Sequence, residues 1–172
     1  MKQKNIIKAF IFCLFVGTLL HFTYDLSGNI AFIGYFSAVN ESIWEHTKLA
    51  SYSILFYSII FYIKNKGNFN NFFLGIFLSM SFSILTVPIL FYSYYHFAKK
   101  SIFLLDILIF IIACLVASST FIYIINLKKH FTILNFLSLI FILILIFYMA
   151  KWSFNPPPFP IFENLPNLGL NI

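Results

Sequence analysis

Long apolar runs, broken by short polar segments, dominate the pattern of the chain. Each of five runs is long enough to cross a bilayer as a helix, which takes about 20 residues. They predict helices over residues 6–24, 42–63, 72–95, 102–125 and 131–150. The segments after the second, third and fourth runs are short and hold Lys, Asn or Gly, which are typical of helix ends. The pattern therefore predicts an all-α fold, a polytopic membrane helix bundle of five transmembrane helices.

Composition supports this prediction and excludes a separate soluble domain. The chain is 61% hydrophobic and 9% charged, whereas a soluble domain carries about 25% charged residues. We therefore expect residues 1–172 to form a single integral membrane domain with a tail at 151–172. The predicted location is the cell membrane, where the protein is multi-pass and its surroundings are the lipid bilayer.

The basic excess of the chain has a simple origin in a membrane protein. The net charge of +6 comes from eleven lysines and no arginine, and most of these lysines flank the predicted spans. Lysines at such positions set topology and contact anionic lipid headgroups. We therefore expect no nucleic-acid partner.

Lysine placement predicts an N-in, C-out orientation. With a cytoplasmic N-terminus, seven lysines lie inside and four, Lys48, Lys99, Lys100 and Lys151, lie outside, as the positive-inside rule favours. The same orientation places every acidic residue on the outer side. These residues are Asp25, Glu41, Glu45, Asp106 and Glu163.

Two segments on the predicted outer side are unusual. The connector 25–40 is apolar for a loop, so it is expected to lie in the interface or to fold back into the bundle. The segment 154–160 is rich in Phe and Pro and cannot form a helix interior. We expect a stiff polyproline-like segment across the outer helix ends, with a disordered tail as the alternative for its last residues.

Polar residues near these helix ends form the candidate functional site. The stretch from Asn40 to Lys48 contains two carboxylates, an imidazole and an ammonium group at the start of an apolar run. Ionisable groups are costly at such a boundary, so their presence requires a partner or a function. The candidate polar site comprises His21, Asp25, Asn40, Glu41, Glu45, His46 and Asp106.

Histidine and carboxylate side chains are the ligands that Zn²⁺ and similar metals prefer, which makes a divalent metal such as zinc the candidate cofactor. The candidate ligands are His21, Glu41, Glu45, His46, His96 and Asp106. No fixed-spacing motif such as HExxH selects among them.

Several candidates have structural alternatives. Ser42 and Glu45 have the spacing of a capping box, and Glu45 and Lys48 have that of a surface ion pair. Asp106 lies among apolar residues, where we expect a partner. The expected partners are His21, Lys99, Lys100 or a bound cation.

A set of short motifs resembles a known protein family. The motifs are His21…Tyr24-Asp25…Gly28, Asn40-Glu41-Ser42-x-Trp44-Glu45-His46-x-Lys48, Leu105-Asp106-Ile107 and Phe154-Asn155-Pro156-Pro157…Pro160-Ile161-Phe162. They resemble a family of small bacterial integral membrane proteins with a domain of unknown function. The resemblance covers nearly the whole chain and implies that these motifs belong together, but it implies no activity.

Three functional hypotheses follow, and the sequence leaves open whether the protein is an enzyme. The first is an outer-facing polar pocket that binds or passes a cation or a small solute. The second is a metal-dependent intramembrane hydrolase, in which three protein ligands and water form the hydrolytic centre. The third is a non-catalytic membrane partner subunit, and the sequence likewise leaves open a homo-oligomer.

Overall fold

The chain folds into long helices joined by short connections. The computed structural model describes residues 2–67 and 69–164, and in this part of the chain it contains six α-helices and no strand. The helices are α1 (Lys2–Leu26), α2 (Ala31–Gly34), α3 (Ile43–Lys64), α4 (Phe72–Ala98), α5 (Phe103–Ile125) and α6 (Thr132–Phe154), followed by a 3-10 turn at Pro160–Phe162. The all-α prediction is confirmed, and the ends of the five long helices differ from the predicted ones by up to four residues.

The long helices pack so that one end of the bundle gathers the polar residues of interest. His21 of α1 lies against His46 of α3, and Tyr94 of α4 bonds to Asp106 of α5. Tryptophans near the start of α3 and the end of α6 pack together. The site end is thus the end where α1, α4 and α6 finish and where α3 and α5 begin.

The surface of the bundle is apolar, while small polar residues face inward. Ile7, Ile11 and Phe15 of α1 are between 51% and 66% exposed, and their spacing of four residues forms one stripe along the helix. The buried serines Ser79 and Ser138 donate their hydroxyl hydrogens to carbonyls of their own helices, at 2.5 and 2.7 Å. Exposed apolar stripes together with buried small polar residues are expected for helices that pack closely and face lipid.

Four helices are long and apolar enough to cross a membrane: α1 from Gln3, α4, α5 and α6. Among the described residues α3 is not one of them, so the predicted count of five spans is not confirmed. The reason lies in its position. It contacts α1, α4 and α5, and it buries Glu45, Lys48 and several serines. These polar side chains, which lower its mean hydropathy, are therefore packed against the rest of the bundle and do not face outward.

The two unusual segments both pack against the bundle. The connector after α1 contains the short helix α2 and buries Ser37 and Ala38. It therefore folds back onto the bundle, which was one of the two predictions for this segment. In the tail, the Phe162 ring lies 5.0 Å from that of Trp44 and 5.6 Å from that of Trp152. The tail thus crosses the site end, and residues 165–172 lie outside the described range.

Candidate metal centre

Three titratable side chains meet at the site end, and we call His21, Glu41 and His46 the His–Glu cluster. His21 lies near the C-terminal end of α1, Glu41 precedes the N-cap of α3, and His46 lies in the first turn of α3. Each offers one ligand atom, and these atoms all lie within 4.8 Å of one another. His21 and Glu41 are twenty positions apart in the sequence, so it is the return of the chain through α2 that brings them together.

The spacing of the His–Glu cluster suits a small divalent cation. Glu41 Oε2 lies 3.7 Å from His21 Nε2 and 3.5 Å from His46 Nε2. Two ligands that each lie about 2.1 Å from a tetrahedral zinc ion are separated by about 3.4 Å. The side chains of His21 and His46 are 26% and 25% exposed, and that of Glu41 is 58% exposed. The cluster is therefore accessible from outside the bundle. Two histidines and one carboxylate are a ligand set of zinc sites that keep an open fourth position.

The backbone of the turn before α3 orients the His46 ring. His46 Nδ1 lies 2.8 Å from the carbonyl oxygen of Ser42. Because a carbonyl only accepts, Nδ1 carries the hydrogen, which leaves Nε2, 3.5 Å from Glu41 Oε2, as the ring atom that could bind a metal. A fixed second nitrogen of this kind sets the tautomer and ring orientation of metal-binding histidines.

The same turn is held by its own side chains. Ser42 is the N-cap of α3 and accepts from the backbone N–H of Glu45, which confirms the capping interaction of Ser42. The Ser42 N–H donates to Asn40 Oδ1 at 2.9 Å, so the reciprocal bond of a full capping box does not form. Asn40, a predicted site residue, therefore shapes the turn before α3.

Glu45 points away from the His–Glu cluster into a buried network. Its carboxylate is 1% exposed and lies 2.7 Å from the ammonium group of Lys48. It also accepts from the Val39 N–H and from the Ser153 hydroxyl, both at 2.9 Å. The predicted pair of Glu45 and Lys48 is thus present, but it is buried and not on the surface.

The network satisfies every donor of Lys48. The ammonium group has three hydrogens, and it donates to Glu45 Oε2, to the Gly34 carbonyl and to Ser153 Oγ at 2.7–2.8 Å. These acceptors belong to three different parts of the chain: α3 itself, α2 and α6. The network therefore fixes the position of the connector and of α6 around the start of α3, and through this the position of the neighbouring Glu41 and His46.

Asp106 has local hydroxyl partners. Its carboxylate accepts from the Tyr94 hydroxyl at 2.5 Å and from the Ser101 hydroxyl, and Tyr94 also accepts from the backbone N–H of Ile102. Among the described residues Asp106 forms no ion pair with His21, Lys99 or Lys100, so the expectation of these three partners is wrong, while a bound cation stays a prediction. Because α4 ends close to the start of α5, Tyr94, one turn before the end of α4, lies within hydrogen-bond distance of the Asp106 carboxylate.

Two other predicted site residues lie apart from the cluster. Asp25 is exposed at the end of α1. His96 is exposed in the last turn of α4, where its ring lies 5.2 Å from that of Phe97. Within the described residues, neither belongs to the group whose ligand atoms approach one another.

A cavity of about 500 Å³ adjoins the cluster and lies between α1, α3, α4 and α5. Polar side chains at its rim include His21, His46 and Asp106. The rest of its lining is mainly apolar: Leu14, Gly17, Thr18, Phe22, Ile43, Leu49, Val87, Phe91, Phe103, Ile107, Ile109, Phe110 and Ile111. The cavity thus joins three of the predicted site residues on three helices.

Sequence reasoning missed the partners that hold these groups. Ser153, Ser101 and Tyr94 were not predicted to contribute, although each bonds to a carboxylate in the structure. Tyr94 fits an interfacial aromatic residue equally well. A single sequence contains no signal for Ser153, because it lies more than a hundred residues from its partners.

The family relationship can now be stated. A family of unknown function, DUF6512, matches residues 1–167. The chain belongs to this family. The match covers the motifs around Glu41, Asp106 and Pro156, and the family supplies no activity. Comparison with curated proteins and with solved structures gives no match.

Proposed function

We propose that this protein is an integral membrane protein that crosses the bilayer five times, with its N-terminus in the cytoplasm. Support for α3 as the fifth span comes from its 22 residues, which extend about 33 Å at 1.5 Å per residue. It also runs between the same two ends of the bundle as its neighbours. The lysine distribution favours the site end as the outer side.

Two single-cysteine variants test this topology. Lys100 and Lys128 are both exposed and lie at opposite ends of α5. A membrane-impermeant maleimide added to intact cells is expected to label Lys100→Cys and not Lys128→Cys. The two native cysteines, Cys13 and Cys114, are buried and give a low background. Labelling of Lys128→Cys alone would reverse the proposed orientation, and labelling of both from outside would contradict the connectivity of the spans.

We further propose that the His–Glu cluster binds a divalent transition metal ion, with zinc as the first candidate. The observation that carries this proposal is the convergence of His21, Glu41 and His46 with ligand-like spacing. The contact of His46 Nδ1 with the Ser42 carbonyl adds a hydrogen bond of the kind that ligand histidines make.

The geometry favours metal binding over passage of the ion across the membrane. Below the cluster the cavity is lined mainly by apolar side chains, which cannot replace the water molecules of a hydrated cation. A bound ion would therefore stay at the site end. Of the two activities in the first hypothesis, binding and passage of a cation, we therefore propose binding.

Metal-dependent hydrolysis is the second candidate function, because three ligands leave a position open beside the cavity. His21, Glu41 and His46 would hold the metal, which would act as a Lewis acid and lower the pKa of a bound water, the chemistry that hydrolysis of an ester or amide requires. Asp106 lines the same cavity and is the acidic residue of α5 that would serve as proton carrier.

Zinc binding by the purified protein in detergent tests the proposal. Isothermal titration is expected to give one site per chain, and Co²⁺ in its place is expected to give the visible absorption of a tetrahedral ion. Loss of a residue that merely hydrogen-bonds to a ligand weakens metal binding by about 10–100-fold, so Glu41→Gln and His46→Ala should weaken it by at least that much.

Matched controls separate ligation from a general loss of charge or imidazole. His96→Ala removes an exposed histidine near the same end of the bundle, and Asp25→Asn removes an exposed acid. Both variants should bind zinc like the parent protein. Equal affinity in His46→Ala and His96→Ala, or no binding by the parent protein, would overturn the proposal.

A further inference from the structure

The ionisable groups in the lining of the cavity lie at its site end. On α1 the lining begins at Phe22 and His21 and runs about 10 Å deeper, at 1.5 Å per residue. On α5 it begins at Phe103 and Asp106 and runs in the same direction. Because α1 ends and α5 begins at the site end, both helices place their ionisable group near this end, beside an apolar ring, and the deeper lining is apolar except for Thr18.

The side of the cavity between α1 and α5 faces the outer surface of the bundle. Phe22, Phe103 and Ile107 line it and are 54%, 54% and 40% exposed. In the proposed membrane these exposed side chains meet hydrocarbon and not water. An occupant that enters between α1 and α5 therefore comes from the bilayer.

Size limits the occupant to one chain. A volume of about 500 Å³ lies within the range of about 300–1,000 Å³ for sites that hold one small ligand. The wall of the cavity is closely packed at Gly17, where an added Cβ would lie 2.7 Å from the Phe110 ring and 3.1 Å from the Leu49 carbonyl oxygen. We call this cavity, with its ionisable groups at the site end, the slot.

We infer that this slot binds a single-chain lipid, with its hydrocarbon chain among the apolar residues and an anionic oxygen of its head at the His–Glu cluster. The head contact rests on the proposed metal site, since oxygen is a good zinc ligand and the three protein ligands leave a position open. The contact with the hydrocarbon chain of the lipid rests on the volume and the apolar lining of the slot.

Selectivity for such a lipid must come from its head. A lipid chain in the bilayer is already in an apolar surrounding, so moving it into the slot gives no hydrophobic gain. Coordination of an anionic oxygen is available only at the cluster. A lipid with an anionic head should therefore occupy the slot in preference to the same chain with an uncharged head.

A photoreactive fatty acid tests the inference. The probe carries a diazirine in mid-chain and a terminal alkyne, and it is mixed into phosphatidylcholine vesicles that contain the full-length protein with zinc. After illumination, mass spectrometry is expected to place the adducts on the slot residues of α1 and α5. A probe with the same chain and an alcohol head serves as the head control and should label the slot much less.

Two neighbouring residues of α5 provide a matched pair of variants. Ile107 lines the slot, while Leu108 is 48% exposed and is not part of its lining. Ile107→Trp should fill the slot and lower its labelling by about tenfold, the change that about 1.4 kcal/mol of lost affinity produces. Leu108→Trp should label like the parent protein.

The outcomes separate this inference from the metal proposal. Adducts spread evenly over the exposed apolar surface, with no effect of Ile107→Trp, would overturn the lipid slot even if zinc binds. The head contact would be overturned if the labelling of the slot stayed the same without zinc, in Glu41→Gln and with the alcohol probe. Zinc titration in the absence of probe reports on the metal site alone.

Discussion

Replacement of Lys48 by methionine is expected to destabilise the protein strongly, because it leaves a carboxylate buried without its counter-ion. The Lys48 ammonium group lies 2.7 Å from the Glu45 carboxylate, and the side chains are 0% and 1% exposed. Two unit charges at that distance attract by about 6 kcal/mol at an effective dielectric constant of about 20. Desolvation costs several kcal/mol per ion, so the intact pair contributes little net, whereas loss of one partner costs about 3–5 kcal/mol.

A second substitution separates the stranded charge from the lost packing. The double variant Lys48→Met with Glu45→Gln has no charge at either position. The side-chain carbonyl oxygen of the introduced glutamine can still accept from the Val39 N–H, as Glu45 does. The Gly34 carbonyl loses its donor, at a cost of about 1–3 kcal/mol. We therefore expect the double variant to be more stable than Lys48→Met by about 2 kcal/mol.

Unfolding of the purified protein by SDS in mild-detergent micelles, followed by far-ultraviolet circular dichroism, measures these differences. Lys100→Met is the control, because Lys100 is exposed and a surface change of this kind shifts stability by about 0.5 kcal/mol or less. A loss for Lys48→Met no larger than for this control would refute the reasoning. A double variant less stable than Lys48→Met would refute it as well.

Two further predictions concern packing at the opposite end of the bundle and in the cavity wall. Asn71→Asp should destabilise the protein by about 1–3 kcal/mol in the same assay, because buried Asn71 donates to the Lys129 carbonyl and accepts from the Phe131 N–H, and a carboxylate cannot donate. An unchanged stability would show that this link between two connections is dispensable. Gly17→Ala should destabilise the protein by about 1–3 kcal/mol through overpacking and lower fatty-acid labelling, since the new methyl group overlaps the Phe110 ring in the wall of the slot; unchanged labelling would contradict this.

The sequence by itself determined the long helices and, to within four residues, their ends. An apolar run of bilayer length is a local property, and the breakers that end it are local as well. For the same reason the N-cap at Ser42 was predictable, since a cap depends on residues within one turn. The spacing of Glu45 and Lys48 also predicted their pairing.

The tertiary structure alone decided which acid belongs to the candidate site. Glu41 lies in a bend before the helix, so helical periodicity does not place it. Glu45 and His46 are neighbours in a helix of 3.6 residues per turn and therefore point about 100° apart. Once His46 faces α1, Glu45 must face another neighbour, and that neighbour is α6 with Ser153.

The environment of α3 was likewise a tertiary property. Its polar residues looked like those of a surface helix, because sequence spacing reports which residues share a face and not what that face contacts. Packing of α2 and α6 around the start of α3 buries Lys48, while His21, Glu41 and His46 meet at an accessible position. The chain thus specified its helices locally, while the packing between distant helices created the cluster and the cavity below it.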